Sequence, residues 1–159
     1  MKITLITVGR LKDKILIDAS AEYEKRLSKY CKLEIKTIEA AKLPSDPSDR
    51  EVTEALKEEC DKIKKAIPSG CELIPLCIEG KQLSSEELSR KLDTLKLYGT
   101  SHVCFIIGGS YGIDEEIKRQ ASIKLSMSKM TFPHRLARIM LLEQIYRAFK
   151  ITEGSNYHK

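Results

Sequence analysis

Two rhythms of apolar and polar positions alternate along this chain. Lys2–Val8 (KITLITV) is rich in β-branched residues and stops at Gly9, which predicts a strand. Residues 13–30 place Leu16, Ala19, Tyr23, Leu27 and Tyr30 at helical spacing with charges between them. Residues 32–39 (KLEIKTIE) alternate as a strand with one wet face does, and Pro44 and Pro47 then break the chain in a polar loop. Residues 49–67 carry a second helical stripe, Val52, Leu56, Cys60, Ile63 and Ile67, and Ser48 with Glu51 predicts a capping box at its start. Residues 71–78 predict a third strand, in which Pro75 implies a bulge, a sheet edge or an early end. Residues 84–97 open with Ser-x-x-Glu and predict a helix. His102–Ile107 is apolar enough to mark a strand covered on both faces. After the loop Gly108-Gly109-Ser110-Tyr111-Gly112, Asp114 is the expected cap of a short helix reaching Gln120. Residues 122–127 predict a last strand, and Pro133 suits the first turn of a final helix running to Ile151. Strands separated by helices, with the most apolar strand in the middle, predict an α/β fold: a mostly parallel sheet flanked by helices.

Length and composition narrow the class. At 159 residues, with 42% hydrophobic and 32% charged residues, the chain is expected to form one domain over residues 1–159, neither disordered nor fibrous. The five cysteines, Cys31, Cys60, Cys71, Cys77 and Cys104, form no C-x-x-C pair, so zinc and disulfide frameworks lack support and a reducing compartment fits. Met1 to Gly9 lacks the basic start and cleavage site of a secretory signal, and the longest strictly apolar run is the five-residue VCFII. A cytoplasmic location without a membrane partner is the expectation. Charge is uneven: residues 118–159 hold nine Lys and Arg against two Asp and Glu, while residues 1–117 hold 19 against 21. The net +5 therefore arises entirely from the last 42 residues. Such an end is either a solvated helix face or a surface for phosphate or RNA.

Several chemistries are excluded by spacing. The glycines at 108, 109 and 112 do not fit G-x-G-x-x-G, Gly80-Lys81 is followed by Gln82 and makes no Walker motif, and no G-x-S-x-G elbow occurs. His102, His134 and His158 lack metal-pair spacing, and no metal site is expected. Residues 125–134 (LSMSKMTFPH) mix small hydroxyl residues with apolar ones just before a helix, which suits either an ordinary connection or a loop that wraps an adenine ring. The terminal helix has an apolar surface wider than one core stripe requires: Leu136, Ile139, Met140, Leu142, Ile145, Tyr146 and Phe149. It therefore serves a deep core or a subunit interface. Arg135, Arg138, Arg147 and Lys150 decorate it, with Glu143 four residues before Arg147.

These segments together carry a resemblance. LSMSKMTFPHRLARIMLLEQIYRAFKI, an end of NYHK, IIGGSYG and LCIEGK upstream, and KITLITVGRLK at the start make the chain similar to the RlmH family over essentially its whole length. That family comprises SPOUT-class methyltransferases modifying a pseudouridine of 23S rRNA. The resemblance implies a trefoil-knotted α/β fold, a homodimer, and S-adenosylmethionine as cofactor, with the knot and cofactor loops within about residues 71–159. It assigns cofactor contacts to Leu76, Gly108, Met127, Ser128, Lys129, Met130, Thr131 and Phe132. It further implies that the tail folds over the pocket, with His158 accepting or relaying a proton and Arg147 and Tyr157 beside it. Arg135, Arg138 and Lys159 are the expected RNA contacts on the 23S rRNA within the ribosome. Cys77 stands where the family leads one to expect an acidic residue, Pro75 is unusual beside Leu76, and Asn156 replaces a common proline. A ribosome-binding factor without activity, or a nucleotide- or flavin-binding α/β protein acting on a small molecule, are the competing classes.

Overall fold

The computed structural model describes residues 1–155 and Tyr157. Five strands, β1 (Lys2–Val8), β2 (Lys32–Ile38), β3 (Glu72–Gln82), β4 (His102–Ile107) and β5 (Leu125–Ser126), form one sheet in the order β2-β1-β4-β3-β5. Every pairing is parallel. The helices are α1 (Lys14–Leu27), α2 (Asp49–Ala66), α3 (Ser85–Leu97), α4 (Glu115–Gln120) and α5 (His134–Thr152). The strand–helix alternation predicted from the apolar rhythm is therefore present.

Each side of the sheet is covered, as an all-parallel sheet requires. On one side Ile3, Leu5, Phe105 and Ile107 pack with Leu27 of α1, Leu88 and Leu92 of α3, and Leu141, Leu142 and Ile145 of α5. On the other, Ile6, Val8, Cys104 and Ile106 meet Cys60 and Ile63 of α2 and Ile117 of α4. Burial of β4 on both faces explains its unbroken apolar run. Helix starts follow the local code. Ser48 and Ser84 each close a complete capping box, with Glu51 and Glu87, an arrangement worth about 1 kcal/mol per helix. Asp13 caps α1 and Asp114 caps α4.

Three boundaries differ from the sequence reading. Pro75 lies in an interior strand, and it is the last residue of β3 to pair with β4, opposite Ile106. Lacking an N–H, it ends that ladder, and the following residues pair irregularly with β5, from Leu76 to a second register at Lys81 and Gln82. β3 thus extends past residue 78 on a polar stretch whose hydrogen bonds, not its side chains, keep it extended. β5 contracts from the predicted residues 122–127 to Leu125–Ser126. Pro133 is the N-cap of α5, one residue before the first turn, and supplies no side-chain cap.

Candidate functional site

Because all five strands run the same way, their C-terminal ends share one edge, where open α/β sheets hold ligands. A cavity of about 880 Å³ opens there. Its walls come from three successive strand ends: Leu76 to Glu79 in β3, Ile107 to Ile113 after β4, and Leu125 to Ser128 with Met130 to His134 after β5. Of the eight residues expected to contact cofactor, Leu76, Gly108, Met127, Ser128, Met130, Thr131 and Phe132 line this cavity. Lys129 does not, and its side chain is exposed.

Close backbone approaches shape the walls. A Cβ on Gly108 would stand 2.1 Å from the carbonyl oxygen of Gly112, so only glycine lets the 108–112 loop fold this tightly. Gly112 adopts φ +87° and donates its N–H to the Gly109 carbonyl at 3.1 Å. Behind the loop, the carboxylate of Glu59 would lie 3.3 Å from a Cβ on Gly109, and it accepts from Ala41 N at 2.9 Å. Burial raises its pKa above the ordinary carboxylate range. Across the cavity Ser126 Oγ donates to the Ser128 carbonyl at 3.0 Å, while Ser128 Oγ accepts from Met130 N at 3.0 Å. Those two hydroxyls hold the 126–130 turn from within.

Electrostatics of the cavity are balanced locally. Lys118 bridges Glu79 at 2.7 Å and Glu115 at 2.9 Å. Burial works against its charge, but the hydrogen bonds it donates to Glu115 and Glu79 prevail and raise its pKa. Burial pushes the Cys77 thiol up to about 11, so it stands in the wall as a neutral apolar group. Burial, and then the adjacent Arg135 charge, lower the pKa of His134, favouring its neutral form. Cys60, Asp114 and Glu116 also cluster within 4.8 Å of one another. There Asp114 is occupied in capping α4 and Glu116 pairs with Lys64 at 2.5 Å.

Two of the expected catalytic residues, Arg147 and Tyr157, lie elsewhere. Arg147 donates to Glu143 at 2.6 Å and to the Tyr157 carbonyl at 3.2 Å, and its guanidinium sits 4.8 Å from the Tyr157 ring centroid. Tyr157 is edge-on to Tyr146, with centroids 5.1 Å apart. Neither residue lines the cavity. Ala137, at the cavity end of α5, and Arg147 are ten residues apart, about 15 Å along a helix. The expectation that the tail folds over its own pocket is thus not met at Tyr157. His158 and Lys159 lie outside the described residues.

The two expected RNA contacts on α5 also separate. The side chain of Arg138 is only 12% exposed and faces Ser20 and Glu24 of α1 at 3.1 Å and 3.6 Å. Arg135 makes no such pair and follows the cavity residue His134 on α5, with its Nε buried and without a partner among the described residues. Sequence reasoning missed Ile78, Tyr111, Lys118, Ser126 and His134 as cavity residues. The signal that could have found Ile78, Tyr111 and Ser126 is topological, since each lies within a few residues of a strand's C-terminal end, whereas Lys118 and His134 reach the cavity from α4 and α5.

Comparison with known proteins agrees with this geometry. The family model described as "Predicted SPOUT methyltransferase" matches residues 1–158. The chain is 54% identical over 159 residues to the ribosomal RNA large subunit methyltransferase H of Bifidobacterium adolescentis, and 48% identical to that of Acetivibrio thermocellus. Both alignments cover the whole of each chain. Among solved structures, a probable methylase family protein from Haemophilus influenzae superposes with a TM-score of 0.58 at 11% identity. That superposition covers 99% of this chain and 70% of the other, and it speaks for the fold alone. A parallel sheet with a glycine-walled cavity at its C-terminal edge, and a family match over almost the full length, lead to one conclusion: this chain belongs to the SPOUT methyltransferase family.

Proposed function

We propose that this chain transfers a methyl group from S-adenosylmethionine to N3 of a pseudouridine in the 23S rRNA of the large ribosomal subunit. The observation that carries the reading is the convergence of Leu76, residues 108–112 and residues 127–132 on one cavity, in a chain whose full-length relatives bear the name ribosomal RNA large subunit methyltransferase H. The donor set suits that cofactor. Apolar walls from Leu76, Ile107, Met127 and Phe132 can enclose an adenine ring, and the side-chain-free backbone at Gly108 and Gly109 can approach a ribose or amino acid group. Ile78 at 61%, Tyr111 at 49% and Met130 at 72% exposure leave an apolar rim that a ligand would cover.

S-adenosylmethionine supplies an electrophilic methyl group on a sulfonium. The protein's part is to orient the base in line with it, exclude water, and take away the N3 proton. His158 accepts or relays that proton, while the positive charges of Arg147 and Lys159 favour the anionic ring. Arg147 lies about 15 Å along α5 from the cavity, with Tyr157 against it, which supports a homodimer in which the tail of one copy serves the cavity of the other. Leu136, Ile139 and Met140 on α5 are incompletely buried and would form part of that contact. No helix among the described residues is long and apolar enough to cross a membrane, and action on ribosomes is cytoplasmic. The test is methyl transfer from labelled S-adenosylmethionine to ribosomes, separated subunits and free rRNA, with the product nucleotide mapped. One N3-methylated pseudouridine, lost in His158→Ala at saturating substrates, is expected. Absence of transfer to all three RNAs would overturn the reading.

A further inference from the structure

Folding redistributes the basic surplus. Of the nine cations in residues 118–159, Lys118, Arg138, Arg147 and Lys150 are paired with Glu79, Glu24, Glu143 and Glu153. Lys129, in the loop after β5, and Arg135, in the first turn of α5, make no hydrogen bond or ion pair among the described residues, and neither do Arg10 and Lys12 of the N-terminal part of the chain. Arg10 and Lys12 lie in the connection between β1 and α1, and both are exposed. β1 is the direct neighbour of β4, whose end forms the cavity. Gly9 turns the chain with φ +85°, and a Cβ there would be 3.4 Å from Nε2 of His134, which ties this connection to the cavity wall. Asp13, next in the chain, accepts from Ile15 N at 2.8 Å as the cap of α1 and forms no ion pair with either cation.

We propose that Arg10 and Lys12, together with Lys129 and Arg135, hold the RNA phosphates that flank the target nucleotide. The inference rests on the rRNA methyltransferase reading and adds a surface from the N-terminal loop, far in sequence from the basic segment. Cations without counterions among the described residues, carried by two loops and the first turn of α5, suit a polyanion better than a single bound phosphate. Tyr111, half exposed in the cavity wall, offers a stacking face for an unpaired base.

The test compares the double variant Arg10→Ala/Lys12→Ala with Lys29→Ala/Lys32→Ala, an equal charge loss at the N-terminal edge of the sheet, where both lysines are exposed. Binding to large-subunit RNA is measured against salt, and S-adenosylmethionine binding by calorimetry. The first variant is expected to bind RNA on the order of tenfold more weakly at 0.1 M salt, with a log–log slope shallower by about 1.4, since each single-strand phosphate contact contributes about 0.7. Its cofactor affinity and the RNA binding of the second variant should match the unaltered protein, and Arg10→Lys should recover most of the loss. Equal RNA losses in both double variants, or an unchanged slope in the first, would overturn the inference. Failure of the unaltered protein to methylate any rRNA would instead overturn the reading beneath it.

Discussion

Replacing Gly108 with alanine asks whether the backbone of the 108–112 loop is what forms the cofactor wall. The new Cβ would lie 2.1 Å from the Gly112 carbonyl oxygen, 2.5 Å from its carbonyl carbon and 2.7 Å from Cγ1 of Ile113. Relief to an ordinary contact of about 3.5 Å demands a displacement of about 1 Å or more. The neighbours resist it. Gly112 is fixed at φ +87° and bonded to Gly109, and Ile113 is 5% exposed within the core beneath. Overpacking of this kind costs about 1–3 kcal/mol of stability. A 1 Å shift in the positioning wall can lower methyl transfer by about 100-fold. Urea unfolding and calorimetric titration with S-adenosylmethionine read the two effects separately. Gly70→Ala is the control, since Gly70 also has positive φ, +67°, but a Cβ there meets nothing within 4 Å. It should cost about 1 kcal/mol and leave cofactor binding intact. If Gly108→Ala binds cofactor as the unaltered protein does, the loop backbone is not the wall and the reasoning fails.

Two further perturbations address other parts of the molecule. Arg138→Ala removes a nearly buried guanidinium from Glu24 and Ser20; a loss of about 1–2 kcal/mol in urea unfolding is expected, with the salt slope of RNA binding unchanged. His134 has a folded-state pKa below its unfolded one, because burial and Arg135 disfavour the charged ring. The unfolded chain therefore binds its proton first as pH falls through the ordinary histidine range, and stability drops with acidification over that interval. The slope levels off below the folded pKa. His134→Asn should flatten this dependence in unfolding midpoints measured between pH 8 and 5; His102, whose pKa burial also lowers, would supply the residual slope.

Local patterning along the chain determined the elements. β-branched runs, helical stripes and the Ser48–Glu51 and Ser84–Glu87 boxes act over a few residues, and a few residues are enough to read them. The parallel α/β class followed from their alternation, because parallel strands need crossovers. Tertiary structure alone decided what depends on distant partners. The order β2-β1-β4-β3-β5 brings Leu76, Gly108 and Phe132 to one cavity. The polar end of β3 and the two-residue β5 exist only through pairing with each other, which no periodicity announces. The charge tally illustrates the same division. Sequence located a surplus in residues 118–159, whereas folding paired Lys118, Arg138, Arg147 and Lys150 and left Arg10 and Lys12 without a partner among the described residues, in the loop that packs Gly9 toward His134. Coulombic pairing acts through space over a few ångströms, so the partner of a charge is set by how the chain packs and not by where the charge stands along it.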